Sequence, residues 1–174
     1  GRELSTEGGL ESACWAGELK RHEHRGIQLE ARLGEYAYKV TIGFPAPVAA
    51  AFPYEPIIKE ETLVYHGQTR RETLLERKNQ QVWARDEAGI RHDVDGDLLP
   101  SETALAELKD SARFPDLDVV RRTLLQWRFY HTFRTDAGSP LRRPCLGVTT
   151  PMLASDGSDL AALFATLKHI RQDT

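Results

Sequence analysis

Gly26-Ile27-Gln28-Leu29-Glu30-Ala31-Arg32-Leu33-Gly34-Glu35-Tyr36-Ala37-Tyr38-Lys39-Val40-Thr41-Ile42 is the stretch whose reading decides the fold class. Ile27, Leu29 and Ala31 alternate with Gln28, Glu30 and Arg32, the period of two that a strand shows when one face is buried and the other is wet. Leu33-Gly34-Glu35 interrupts the pattern, and Tyr36, Tyr38, Val40 and Ile42 resume it. The two halves therefore predict a β-hairpin.

Downstream, Glu60 to His66, Thr73 to Arg77, Gln81 to Arg85 and Ile90 to Val94 are four further strand candidates. Their separators, His66-Gly67-Gln68, Lys78-Asn79-Gln80 and Glu87-Ala88-Gly89, are all compatible with hairpin turns. An antiparallel meander of about six strands over residues 26–94 follows. Pro45 to Pro56 holds four prolines in twelve residues, too stiff and too poor in donors for a central strand. It reads as an inter-strand loop, with a polyproline docking segment as the alternative. Asp93-Val94-Asp95-Gly96-Asp97 has the look of a calcium loop, but counting from Asp93 the sixth and twelfth positions hold Leu98 and Ala104 where Gly and an acidic ligand are required. A turn ending the sheet is expected there.

Helical spacing takes over in 100–174. Pro100-Ser101-Glu102 offers a helix start, with Leu105 and Leu108 as its apolar stripe. Asp116 offers an N-cap for Leu117 to Gln126, which would bury Leu117, Val120 and Leu124, with Val119 and Trp127 as further candidates, and expose Arg121-Arg122. Over Trp127-Arg128-Phe129-Tyr130-His131-Thr132-Phe133 the period returns to two, predicting an aromatic strand. Such a run can stack on bases when Arg is interleaved, or be a buried strand. The loop Arg134 to Pro151 carries Arg134, Arg142 and Arg143, whose guanidinium forks suit phosphate or carboxylate. A final helix then starts near Asp156-Gly157-Ser158-Asp159, with Leu160, Leu163, Phe164, Leu167 and Ile170 at helical spacing.

Upstream of the hairpin, Ala13-Cys14-Trp15-Ala16 fits a buried edge strand or a helix end equally, being too short to show a period. His22 and His24 could share a strand face, yet no third metal ligand lies nearby. The chain of 174 residues is long enough for a core without metal or disulfide help. Its 23 basic and 26 acidic residues and pI near 6.1 give no global nucleic-acid signature. Cys14 and Cys145 match neither a disulfide framework nor a zinc pattern, so a reducing, cytoplasmic setting is the default. No apolar run approaches the roughly 18 residues that cross a bilayer, and no signal-peptide layout is present, so no membrane association is expected. The opening Gly1-Arg2-Glu3-Leu4 lacks an initiator Met, which suggests an internal piece of a longer protein.

Three stretches in order carry a family resemblance: Trp127-Arg128-Phe129-Tyr130-His131, Ser139-Pro140-Leu141-Arg142-Arg143-Pro144, and Leu153-Ala154-Ser155-Asp156-Gly157-Ser158-Asp159-Leu160-Ala161. This order resembles the interior of bacterial predicted ATPases of the RecF/SMC-like, ABC-type group, also labelled AAA or OLD-like. Glu7 to Gly17 is similar to the same family just after its P-loop helix. The resemblance implies an α+β chain, one partial domain between Walker A and the ABC signature of a P-loop ATPase head. In it, the antiparallel β-subdomain (26–94) is followed by two or three helices and the aromatic strand 127–133. It implies ATP and Mg²⁺ as cofactors of the parent, and as partners the remainder of the head, a second head through an ATP sandwich, and DNA. A DNA-associated or phage-defence role follows by analogy alone.

This chain departs from a complete ATPase. No Gly-x-x-x-x-Gly-Lys-Ser/Thr sequence occurs, and no continuous apolar strand runs into adjacent Asp-Glu, since Asp86-Glu87 follows Arg85. No catalytic residue is therefore assigned, and neither ATP nor Mg²⁺ is expected to bind this chain alone. Arg142, Arg143 and Arg128 are the candidates for nucleotide or DNA contact, with His131 as a polar contact within the head. The competing expectation is a self-contained β-rich module that binds protein or nucleic acid without catalysis, its scaffold the meander and its contact surfaces the loops 45–56 and 134–151.

Overall fold

The structure is a computed structural model that describes residues 4, 8–14, 26–45, 55–94, 96, 98–130 and 133–172. A short helix α1 (Gly9–Ala13) precedes six strands: β1 (Gly26–Leu33), β2 (Tyr36–Gly43), β3 (Ile57–His66), β4 (Arg71–Lys78), β5 (Gln81–Arg85) and β6 (Arg91–Asp93). Three helices follow, α2 (Ala104–Glu107), α3 (Pro115–Gln126) and α4 (Leu160–Gln172). The strands form one antiparallel sheet in the order β1-β2-β3-β4-β5-β6. The architecture is α+β, a six-stranded antiparallel meander with helices after it. The chain divides into two compact units, residues 1–125 and 126–174.

Turn chemistry sets the register of the meander. Leu33 pairs with Tyr36 across the two-residue turn Gly34-Glu35, and Gly34 adopts a positive φ of 59°. Glycine at the first position of such a turn meets the demand of the hairpin geometry without steric cost. Asn79, with φ 55°, does the same between Lys78 and Gln81. The register shifts at Thr41/Ile42, where Lys59 is the extra residue, and at Leu63/Val64, where the extra residue is Leu74, so that Leu74 and Leu75 are both buried.

One face of the sheet carries the core of the first unit. Tyr38, Val40, Ile58, Leu63, Leu75, Val82 and Ala84 pack with Ala104, Leu105, Phe114, Leu117 and Val120. The residues between the last strand and 125 thus belong with the sheet, and the helical region expected over 100–174 is divided at the last turn of α3. The opposite face is wet, and its charges are matched locally. Trp83 lies across it, donating from Nε1 to Glu76 at 2.9 Å beneath the guanidinium of Arg91, 4.6 Å from the ring centroid. Lys78 pairs with Glu76 at 2.9 Å and Arg91 with Asp93 at 3.0 Å.

Several local expectations are corrected. Leu29 is 53% exposed although it sits on the core-side face of β1, because β1 is the terminal strand and no described element covers it. Helix α2 is capped by Thr103, whose side chain accepts from Ala106 N, and not by Ser101. Asp116 lies inside α3, and its carboxylate accepts the Tyr36 hydroxyl at 2.6 Å, so it fastens the helix to β2 where an N-cap was expected. Arg121 is not on a solvated face: it ion-pairs with the buried Asp118 and donates to Leu108 O at 2.8 Å. Arg122 is exposed as expected, held to Asp118 at 2.7 Å. The segment at Ala13-Cys14 resolves as the end of α1. His22, His24 and most of the proline-rich loop lie outside the described residues.

The second unit departs furthest from its pattern. Residues 127–130 and 133 form no strand, and Phe129 and Tyr130 are exposed. A strand needs a neighbouring backbone to complete its ladder, and none is offered among the described residues. The rings pair with each other instead, Trp127 with Phe129 at 6.2 Å and Tyr130 with Phe133 at 6.3 Å, both edge to face. In α4 the buried side is Ala162 and Thr166, while Phe164, Leu167 and Ile170 of the expected stripe are exposed.

Candidate functional site

The arginine-bearing loop of the second unit is built from its own backbone outward. Arg134 forms a fork onto Asp136 at 2.8 and 2.9 Å, and the Gly138 amide donates to the same carboxylate at 2.9 Å. The guanidinium and that amide hold the Asp136 carboxyl below its ordinary range. Ser139 is buried: its hydroxyl donates to Arg134 O at 2.5 Å and accepts from Leu141 N at 3.2 Å. That contact closes the turn and starts a short 3-10 helix, Pro140–Arg142, with proline in the first turn where its missing N–H costs nothing.

Arg142 and Arg143 leave this turn in succession, and both are exposed. Each is steadied by one backbone carbonyl, Arg142 Nη2 on Thr135 O at 3.3 Å and Arg143 Nη2 on Gly138 O at 3.3 Å. The structure thus places two exposed guanidinium groups at consecutive positions of a folded turn, and such groups suit an anion approaching from solvent. Arg134 is committed to Asp136. Arg128 is exposed and its Nη1 donates to Trp127 O at 3.0 Å. His131 lies outside the described residues.

The loop is joined to α4 through a corner that only glycine fits. Gly157 has φ 74°, and a Cβ there would stand 2.5 Å from Leu141 Cδ2 and 2.8 Å from Phe133 Cε2. Around it, Ser158 N donates to Asp156 at 3.0 Å and Ala154 N donates to Asp159 at 2.8 Å, so both acids serve the entry to α4. Thr166 then ties the far end of the loop to the helix, accepting from Thr150 N at 2.9 Å and donating to Ala162 O at 2.8 Å. Gly157→Ala combines a left-handed backbone with overpacking, each worth about 1–2 kcal/mol or more. Circular-dichroism melting should show the second unit unfolding earlier, by about 2 kcal/mol or more, while the first is unchanged.

A second polar cluster sits inside the sheet core and escaped the sequence reading. Glu61 on β3 is 0% exposed and Arg77, directly opposite on β4, is 1% exposed. The amides of Ala104 and Leu105 donate to the Glu61 carboxylate at 2.7 and 2.9 Å, and the Tyr38 hydroxyl donates to it at 2.9 Å. Arg77 donates to Asn79 O at 2.7 Å and to Glu102 O at 2.5 Å. Burial raises the Glu61 carboxyl above its ordinary value, against the pull of those donors and of Arg77. Burial and the Glu61 carboxylate likewise push the Tyr38 hydroxyl far up, so it stays a donor.

Every polar atom of this cluster is turned on the fold itself. Glu61 caps α2 and Arg77 holds the carbonyls leading into it, so the pair clamps residues 99–105 to the sheet. Among the described residues no group of three or more His, Cys, Asp or Glu is placed to hold a metal ion, and no helix is long and apolar enough to cross a membrane.

No protein family, curated protein or solved structure matches the chain.

Proposed function

We propose that the chain is an internal segment of an ABC-type ATPase head of the RecF/SMC-like group, acting in ATP-dependent DNA-associated or phage-defence work. The six-stranded antiparallel sheet supports this: it stands where the resemblance implies a β-subdomain, between the post-P-loop segment and the Trp127 to Ala161 stretches. In this proposal the parent supplies Walker A, the ABC signature, Walker B, ATP and Mg²⁺. The segment supplies a rigid platform and, through Arg142 and Arg143, a contact to phosphate of the nucleotide or of DNA.

Arginine contacts to phosphate act largely through charge and weaken as salt rises. Removing both charges, with Arg142→Ala and Arg143→Ala in the full-length parent, should weaken nucleotide or DNA binding about tenfold at low salt and flatten its salt dependence. Arg128→Ala should have the smaller effect. Unchanged affinity and unchanged salt slope would return the two arginines to ordinary surface residues. A parent reading frame without Walker A upstream of Gly1 would remove the ATPase assignment.

The second reading, a self-contained β-rich module that binds protein or nucleic acid, is favoured by one observation. The first unit closes its own core around the sheet, with Glu61 and Arg77 satisfied internally. A fragment that folds cooperatively and binds a partner without nucleotide would favour it over the ATPase segment.

A further inference from the structure

We infer that the outer edge of β1 pairs with the same edge of a second copy of this chain, antiparallel and about a two-fold axis through Ala31. This goes beyond the ATPase reading and does not rest on it. β1 is the terminal strand of the sheet, eight residues long, and no described residue pairs with its outer side. The other terminal strand, β6, has only three residues and offers little edge.

The hairpin fixes which groups face outward. Closing a two-residue turn makes Leu33 and Tyr36 a hydrogen-bonded pair, so Ile27, Leu29, Ala31 and Leu33 spend their N–H and C=O groups on β2. The bond from His66 N to Glu35 O, on the far side of β2, agrees with that phase. Gln28, Glu30 and Arg32 are left with backbone donors and acceptors directed away from the sheet.

Sequence then selects the register. Centred on Ala31, antiparallel pairing sets Glu30 opposite Arg32 of the second copy, twice by symmetry, and those are the residues with outward backbone groups. Leu29 falls opposite Leu33 on the core-side face, in the closely spaced pairs where side chains touch best. The exposed side of Leu29 is covered by this register and the sheet runs on through both copies. Shifting the centre to Glu30 puts the two Glu30 carboxylates face to face. Within one chain the same two residues already form an exposed pair at 3.1 Å, so the dimer exchanges local partners for reciprocal ones.

Charge reversal tests both the interface and its register. Light scattering after size-exclusion chromatography at low salt should give twice the 19.6 kDa mass of the chain. Glu30→Arg and Arg32→Glu each place like charges opposite one another and should each give a monomer that keeps the wild-type circular-dichroism spectrum, because both side chains are exposed. Mixing the two variants restores opposite charges at both contacts, and the dimer should return as a heterodimer. A monomeric wild-type chain, a mixture that stays monomeric, or a dimer that survives both reversals overturns the proposal. The last result is what pairing through the exposed residues of α4 would give.

Discussion

Glu61→Ala should lower the unfolding free energy of the first unit by about 3–5 kcal/mol, read from urea denaturation. The size follows from what is left behind. The Ala104 and Leu105 amides and the Tyr38 hydroxyl lose their acceptor in a site that water does not reach, each a cost of about 1–3 kcal/mol. Arg77, 1% exposed, loses the carboxylate facing it. The first turn of α2 should detach before the sheet does, so hydrogen exchange of the Ala104 and Leu105 amides should rise to the rate of an unprotected loop. A loss below about 1 kcal/mol, the worth of an ordinary exposed pair, would show that the clamp does not hold the unit together.

Arg77→Met should cost about as much, roughly 3–5 kcal/mol, although methionine conserves much of the volume. The carbonyls of Asn79 and Glu102 lose their buried donor, and Glu61 becomes an acid without a facing cation. Its carboxyl, already raised by burial, should rise further. Because the two residues act on one segment, Glu61→Ala combined with Arg77→Met should cost clearly less than the two single changes added together. Strict additivity in that cycle would separate the two groups and remove the clamp.

The meander is legible in the sequence because its signals are short-range. Alternation in Tyr36 to Ile42 and turn residues at Gly34, Asn79 and Gly89 act within a few positions of themselves. The clamp is harder to see, yet one trace of it exists. Glu61 falls in phase with Leu63 and Tyr65, and Arg77 in phase with Leu75, so both charges occupy positions the alternation assigns to the core. Polarity hides what phase reveals. The cap of α2 is ambiguous for another reason: Ser101 and Thr103 can both cap, and the choice is made by Glu61, 42 residues before Thr103.

The Trp127 to Phe133 stretch shows the limit of local pattern. Period two states that a strand is geometrically acceptable, not that a partner strand exists to complete it. In α4 the helix is legible, but the buried side is chosen by Thr150 meeting Thr166, a contact across the loop that apolar spacing cannot encode. Arg142 and Arg143 are legible as an exposed pair. Their anchoring on the Ser139 turn becomes visible only once Ser139 is seen to be buried.

MgATP turnover, measured side by side for the purified 174-residue chain and for the longer parent that the ATPase proposal implies, tests the central claim most directly. The parent is expected to hydrolyse MgATP, and the chain alone to show neither turnover nor saturable nucleotide binding, since phosphate cradle and Mg²⁺ ligands belong to sequence motifs it lacks. Hydrolysis by the chain alone, or a full-length parent without any ATPase activity, would contradict it.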